Sequence, residues 1–258
     1  MTPQVRVHPT LADMADVYRL SREGGPKSPR FARYARAAAE TWGLPAYNPM
    51  AGDYALAAVE TLLAMDAERT TLECAERVVS FCAYGGTVDL AVIVASAGMW
   101  TDRVATEVQY RTVAERRAGY GLVYQWTREE LTLAGLEREA CAETVRVLWT
   151  ALHGAARSMH AVLHREGLAY ATAARCMSDP VAVERPSLEE SAAVEGALAV
   201  LGDSTDPGEI AAVLFGDPGA EAMGWAKLGI SDRAGYRWAI ARAIDLQHLA
   251  TTPVARVP

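Results

Sequence analysis

Start and stop signals for helices recur along this chain, and they leave room for little except short helices joined by tight connections. Ser28-Pro29 is a start: serine can cap free N–H groups, and proline fits the first helical position because its missing donor would be unpaired there anyway. The helix it opens runs to about Trp42 and stops at Gly43. Thr10 precedes an apolar rhythm of Leu11, Met14, Val17 and Tyr18 that Gly24-Gly25 ends. Asp53, after a loop over 44–52, caps a helix whose buried stripe is Leu56, Val59, Leu62 and Leu63. Capping-box spacing, in which two side chains reach each other's backbone N–H, occurs at Thr70/Glu73, Thr127/Glu130 and Ser187/Glu190. The second box opens the longest helical region, to about Gly167, with Gly135 as an internal break. Thr101 opens a helix ending near Gly119. Asp206-Pro207 and Asp217-Pro218 are further starts, and Gly202, Gly216 and Gly229 are stops, so four short helices fill 187–247.

This pattern predicts a mainly α fold. A multi-helix, bundle-like domain spans 1–178, a smaller four-helix part spans 187–247, and 248–258 is a loose tail. The two prolines within 178–186 mark the linker between them. Composition agrees, since 51% of residues are hydrophobic but only 7% aromatic, and alanine favours close-packed helices over sandwiches. Two segments resist assignment. Residues 87–98 carry Val88, Val92, Ile93 and Val94, which suit a strand, and Ala91, Ala95 and Ala97, which suit a helix. Periodicity cannot separate a buried strand from a buried helix over so short a run. We read 87–98 as helix and allow at most a minor β-hairpin at 120–126.

The formal net charge is −7, from 25 basic and 32 acidic residues. That surface repels phosphate backbones on average, so nucleic-acid binding would need a local patch. The cysteines, Cys74, Cys82, Cys141 and Cys176, form no CxxC pair and match no zinc-site spacing. Cys74 and Cys82 fall on one helix, too far apart to bond each other. The N-terminus lacks a basic segment followed by an apolar run, and Leu90 to Ala95 is too short to span a bilayer. A cytoplasmic protein with reduced thiols and no membrane partner is the expectation.

Three constellations could carry chemistry. His153, His160 and His164 are three of only five histidines. On one helix, their spacing puts them along one side, with Arg157 beside them, roughly 60–100° from the centre of the core stripe. Imidazoles at such a boundary could hold a transition metal, a haem or a polar ligand, and His160 with His164 is an i,i+4 chelating pair. Neither HExxH nor ExxH is present. Second, Gly24-Gly25-Pro26-Lys27-Ser28-Pro29 is followed by Arg30, Arg33 and Arg36. A glycine-bearing turn at a helix start offers N–H groups and positive dipole, and Lys27, Arg30 and Arg33 could capture a small anion there. The order of Gly, Lys and Ser is not that of a Walker loop. Third, Gly98 to Arg103 is a turn in which Trp100 and Asp102-Arg103 could line a pocket with Glu107; we prefer the account in which Thr101 caps, Asp102 favours the helix dipole and Trp100 packs.

Ala226-Lys227-Leu228-Gly229-Ile230-Ser231, with Tyr236-Arg237-Trp238 beyond it, resembles the turn and recognition helix of helix-turn-helix DNA-binding proteins. The resemblance covers 219–243 and implies that Arg233, Tyr236, Arg237 and Arg242 lie on or near a groove-reading helix. It departs from the family at Trp225, where a small residue is usual, and at Gly235, where a β-branched core residue is usual. Neither a Gly-x-Ser-x-Gly elbow nor a Gly-x-Gly-x-x-Gly loop is present. The expectation is therefore a helical protein that binds a small anion, a metal or a haem, with no reaction type assigned. A DNA-binding regulator and a homo-oligomeric helical scaffold are the rival classes.

Overall fold

In the computed structural model, residues 4–41, 47–82, 84–95, 119–127, 129–179, 183–222 and 224–249 are described. The elements are β1 (Gln4–His8), α1 (Thr10–Arg19), a 3-10 turn (Gly25–Lys27), α2 (Pro29–Thr41), α3 (Asp53–Ala64), α4 (Ala67–Val79), β2 (Thr87–Ala95), β3 (Tyr120–Trp126), α5 (Leu133–His153), α6 (Met159–Cys176), α7 (Leu188–Leu201), α8 (Pro207–Ala222) and α9 (Ala234–Leu249). The helix expected over 101–119 and the turn around Trp100, Asp102 and Glu107 lie outside the described residues, as do most of the tail and part of the linker. Among the described residues no helix is long and apolar enough to cross a membrane.

The chain is mainly helical, but its N-terminal half is built on a sheet. The three strands lie side by side in the order β1-β2-β3. Both pairs are parallel: Gln4 to His8 pair with Thr87 to Ala91, and Asp89 to Ala95 pair with Tyr120 to Trp126. This corrects both ambiguous readings, since 87–95 is strand rather than helix and 120–126 joins a parallel ladder rather than a hairpin. Parallel neighbours need a long crossover, and α1 to α4 supply the one between β1 and β2. Val88, Leu90, Val92 and Val94 of β2 enter the main core with Val123 of β3, while Ala91 and Ile93 lie in a second buried cluster with Tyr120 and Leu122. A strand buried on both faces reads as a continuous apolar run. That is why its period-two alternation is invisible in Val-Asp-Leu-Ala-Val-Ile-Val-Ala.

Side chains pin the crossover helices to the sheet. The Thr10 hydroxyl donates to the Val92 carbonyl at 2.8 Å, and the Glu68 carboxylate accepts the Leu11 N–H at 2.8 Å, serving as a cap from another helix. Ser28 caps α2 as its sequence predicts, accepting from the Phe31 N–H at 3.1 Å. The Thr70/Glu73 spacing does not open a helix, because α4 has already begun at Ala67 and Glu73 instead pairs with Arg69 at 2.9 Å.

The long helix expected after the Thr127/Glu130 spacing is two helices. Thr132 caps α5, taking the Gly135 N–H at 3.0 Å, so Gly135 lies in the first turn and breaks nothing. The break falls at Gly154, whose φ of 80° and ψ of −169° belong to a region essentially restricted to glycine. Ser158 then caps α6. Side-chain pairs show that α6 returns antiparallel to α5. Glu139 meets Tyr170, Arg146 meets Glu166, and Trp149 meets His164.

In the C-terminal part, Ser187 and Glu190 form the reciprocal cap that their spacing predicts. Helix α8 loses helical geometry at Gly216, so four helical segments follow residue 187. Val194, Val213, Phe215 and Ala234 share one buried cluster with Leu11, Val92 and Leu148, so both halves contribute to a common core. Replacing Gly154 with alanine forces a side chain into the glycine-only region. The expected loss in unfolding free energy is about 1–3 kcal/mol, read from urea denaturation; an unchanged midpoint would mean that the chain does not need this turn.

Candidate functional site: a cleft between α6, α7 and α9

The start of α6 is tied to the end of α7. The Met159 and His160 N–H groups donate to the Ser204 and Gly202 carbonyls at 2.9 and 3.0 Å, which satisfies free donors that a helix start leaves. The His160 ring lies against Gly202, where an added Cβ would sit 2.1 Å from Nε2. Further along, α9 approaches α6 closely enough that a Cβ on Gly167 would lie 2.3 Å from the Ala239 carbonyl oxygen. Two small residues thus decide where α7 and α9 stand relative to the histidine helix.

The space left between these elements is a cleft of about 610 Å³ whose lining includes His160, Glu195, Leu198, Asp203, Trp238 and Arg242. An adjoining chamber of about 240 Å³ shares His160, Trp238 and Arg242, and adds Leu163, His164 and Leu246. The Trp238 indole donates to Glu195 at 3.3 Å. The Arg242 guanidinium lies over the same indole, 5.2 Å from its centroid, a cation–π contact made from one helical turn away. Arg242 has no carboxylate partner among the described residues.

The three sequence-predicted imidazoles do not share one rod. His153 is the last residue of α5, whereas His160 and His164 are on α6. The hairpin nevertheless brings His153 and His164 to the same indole, with ring centroids 4.6 and 5.2 Å from Trp149. Burial lowers the His164 pKa, and the charges of His153 and Arg242 lower it further. Among the described residues no group of three or more His, Cys, Asp or Glu side chains is placed to hold a metal ion.

The other sequence candidates scatter. Lys27 is exposed on the 3-10 turn. Arg30 is buried and spends its donors on the carbonyls of Tyr18, Leu20 and Ala51. Arg33 is matched by Asp13 at 2.5 Å, with Asp16 at 3.8 Å. These arginines therefore hold α1, α2 and the approach to α3 together. Arg157 is exposed on the α5–α6 connection.

The geometry gives the helix-turn-helix reading no support. The connection from the end of α8 at Ala222 to the start of α9 at Ala234 is far longer than that motif's turn, and Trp225 to Leu228 are not helical. Asp217 accepts the N–H groups of Leu228, Gly229 and Ile230, which holds Leu-Gly-Ile-Ser as a loop on α8. Gly235 packs where a Cβ would lie 2.2 Å from the Val213 carbonyl oxygen. Tyr236 is buried between Tyr170 and Phe215, Arg233 lies over Tyr236, and Arg237 pairs with Glu190. Only Arg242 of that set faces the cleft.

Sequence reasoning missed Glu195 and the role of Trp238. The Trp238–Arg242 spacing, one turn on a helix, was the available signal. A depressed His164 pKa has a definite linkage sign. Between the folded pKa and the ordinary 6.5, the unfolded chain binds more protons, so stability from this group rises with pH through that window and is lost as pH falls through it. NMR titration of the ring should place it below 6.5, and the Arg242→Met variant should move it upward; a normal titration unaffected by that change would contradict the packing described. No family model matches the chain, no curated protein is detectably similar in sequence, and no solved structure matches its fold.

Proposed function

We propose that the protein binds a small organic anion with a flat apolar body in the cleft between α6, α7 and α9. The observation that carries this reading is the Arg242 guanidinium, stacked on Trp238 at the cleft wall without a carboxylate partner among the described residues. A guanidinium matches a carboxylate or phosphate with two parallel hydrogen bonds, and stacking fixes its plane in advance. Leu163, Ala239, Ala243 and Leu246 provide apolar surface beside it, and the volume falls within the range of small-molecule sites. His160 can donate to the anion, and Glu195 and Asp203 at the outer cleft can accept from hydroxyl or amino substituents. His164 is the group whose charge responds to the ligand. Its proton is disfavoured by burial and by neighbouring cations, and an anion removes part of that penalty.

Titration of Trp fluorescence with aryl carboxylates and their neutral amides tests the proposal. The carboxylates should bind and the amides should not. Affinity should rise as pH falls through the His164 titration, because the bound anion favours the protonated ring. Arg242→Gln should weaken binding about 10- to 100-fold, the size of a lost charge-assisted hydrogen bond. Gly202→Ala, which displaces the His160 ring, should weaken it less while the protein stays folded. Equal binding of acids and amides, or an unchanged affinity in Arg242→Gln, would overturn the assignment.

A further inference from the structure

Far from the histidine cleft along the α5–α6 hairpin, three thiols from three helices meet. Cys74 of α4, Cys141 of α5 and Cys176, the last residue of α6, belong to one buried cluster. Glu137, one turn before Cys141 on α5, joins Arg77 beside Cys74 to Ser178 just after Cys176, which gathers the three thiols at one end of the α5–α6 hairpin. Purely apolar packing would not need what surrounds them. Arg77 Nη2 lies 3.1 Å from Cys74 Sγ and 3.6 Å from Glu137. Glu137 in turn accepts from the Ser178 N–H at 2.9 Å and from its hydroxyl at 2.7 Å. A guanidinium aimed at sulfur favours thiolate, the form that reacts. Cys176 is also the least buried of the three residues, 7% exposed against none for the other two, and Arg175, Ser178 and Asp179 beside it are exposed.

We propose that Cys74, Cys141 and Cys176 form a hydroperoxide-responsive thiol site, with Cys176 oxidised first and Cys141 closing the disulfide. The Cys176 sulfur attacks one peroxide oxygen. The S–O bond forms, the O–O bond breaks, and the departing oxygen leaves as water or an alcohol with the thiol's proton. Sulfur is oxidised by two electrons and the peroxide is reduced. Cys141 sulfur then attacks the sulfenic sulfur; the S–S bond forms, the S–O bond breaks, and the Cys141 proton leaves with hydroxide as water. Cys74, on the other side of Cys141, can next attack the Cys141 sulfur and release Cys176 as thiolate, moving the link from α5–α6 to α4–α5. Position at the outer edge sets the order, and electrostatics favours thiolate there: the neighbouring Cys141, Arg175 and Arg77 lower the Cys176 thiol pKa despite burial. Burial pushes the Cys82 thiol up, although Cys82 is the more exposed of the two.

The contrast with Cys82 makes the test decisive. The full chain is treated with one equivalent of hydrogen peroxide, alkylated, digested without reduction and mapped by mass spectrometry. The expected product is a Cys141–Cys176 or Cys74–Cys141 disulfide, reversed by dithiothreitol, with Cys82 still alkylated. In Cys141→Ala no disulfide should form, and dimedone should trap a sulfenic acid on Cys176. In Cys176→Ser, at the cluster's outer edge, peroxide oxidation of Cys141 should slow at least about tenfold, which keeps the proposal open to refutation if Cys141→Ala misfolds. Preferential oxidation of Cys82, a Cys74–Cys176 link in Cys141→Ala, or no intramolecular disulfide in the folded wild-type chain would overturn it.

Discussion

Glu166 is wholly buried and receives the Arg146 guanidinium through Nε and Nη2 at 3.1 and 3.0 Å. Taking both charges out of water is costly, and Arg165, whose Nε lies 3.1 Å from the other Glu166 oxygen, shares in offsetting that cost. The pair sits midway along the α5–α6 hairpin and holds the two helices in register. Arg146 also binds Glu143 at 3.1 Å, and Glu143 accepts the Leu122 N–H of β3 at 3.1 Å. One guanidinium therefore links the helical hairpin to the parallel sheet, while its face covers the Tyr170 ring.

Both candidate sites follow from that register. On the turn side of the ion pair, Trp149 and His153 of α5 meet His164 of α6, and α7 and α9 close over the same region of α6 to leave the cleft. On the other side, Glu137 of α5 meets Ser178 just beyond Cys176, and α4 brings Cys74 and Arg77 to the same end. The two sites differ in what they offer. One is an open, amphipathic space with a stacked cation; the other is a packed cluster in which Cys176, at the end of α6, is the least buried of the three cysteines.

Local signals were legible in the sequence, and encounters between distant elements were not. The Ser187/Glu190 cap and the Ser28-Pro29 start formed as their spacing predicts, because each depends on only a few neighbouring residues. Strand β2 escaped because burial on both faces removes the alternation that identifies a strand. Gly154 was overlooked as a stop because the apolar rhythm continues across it, through Leu152, Ala156 and Met159. Missing that turn made three histidines into one stripe and hid that Cys141 and Cys176 share one buried cluster. Arg30 looked like part of an anion trap, but its partners are carbonyls more than a helical turn away in sequence, which spacing does not reveal.

The hairpin is the claim on which both sites rest, and an NMR contact tests it directly. With ring centroids 5.2 Å apart, the Trp149 indole and His164 imidazole protons should show a nuclear Overhauser effect. A single unbroken helix would separate these residues by about 22 Å along its axis. Absence of that cross-peak, together with helical sequential contacts running without interruption from Leu152 through Met159, would contradict the account.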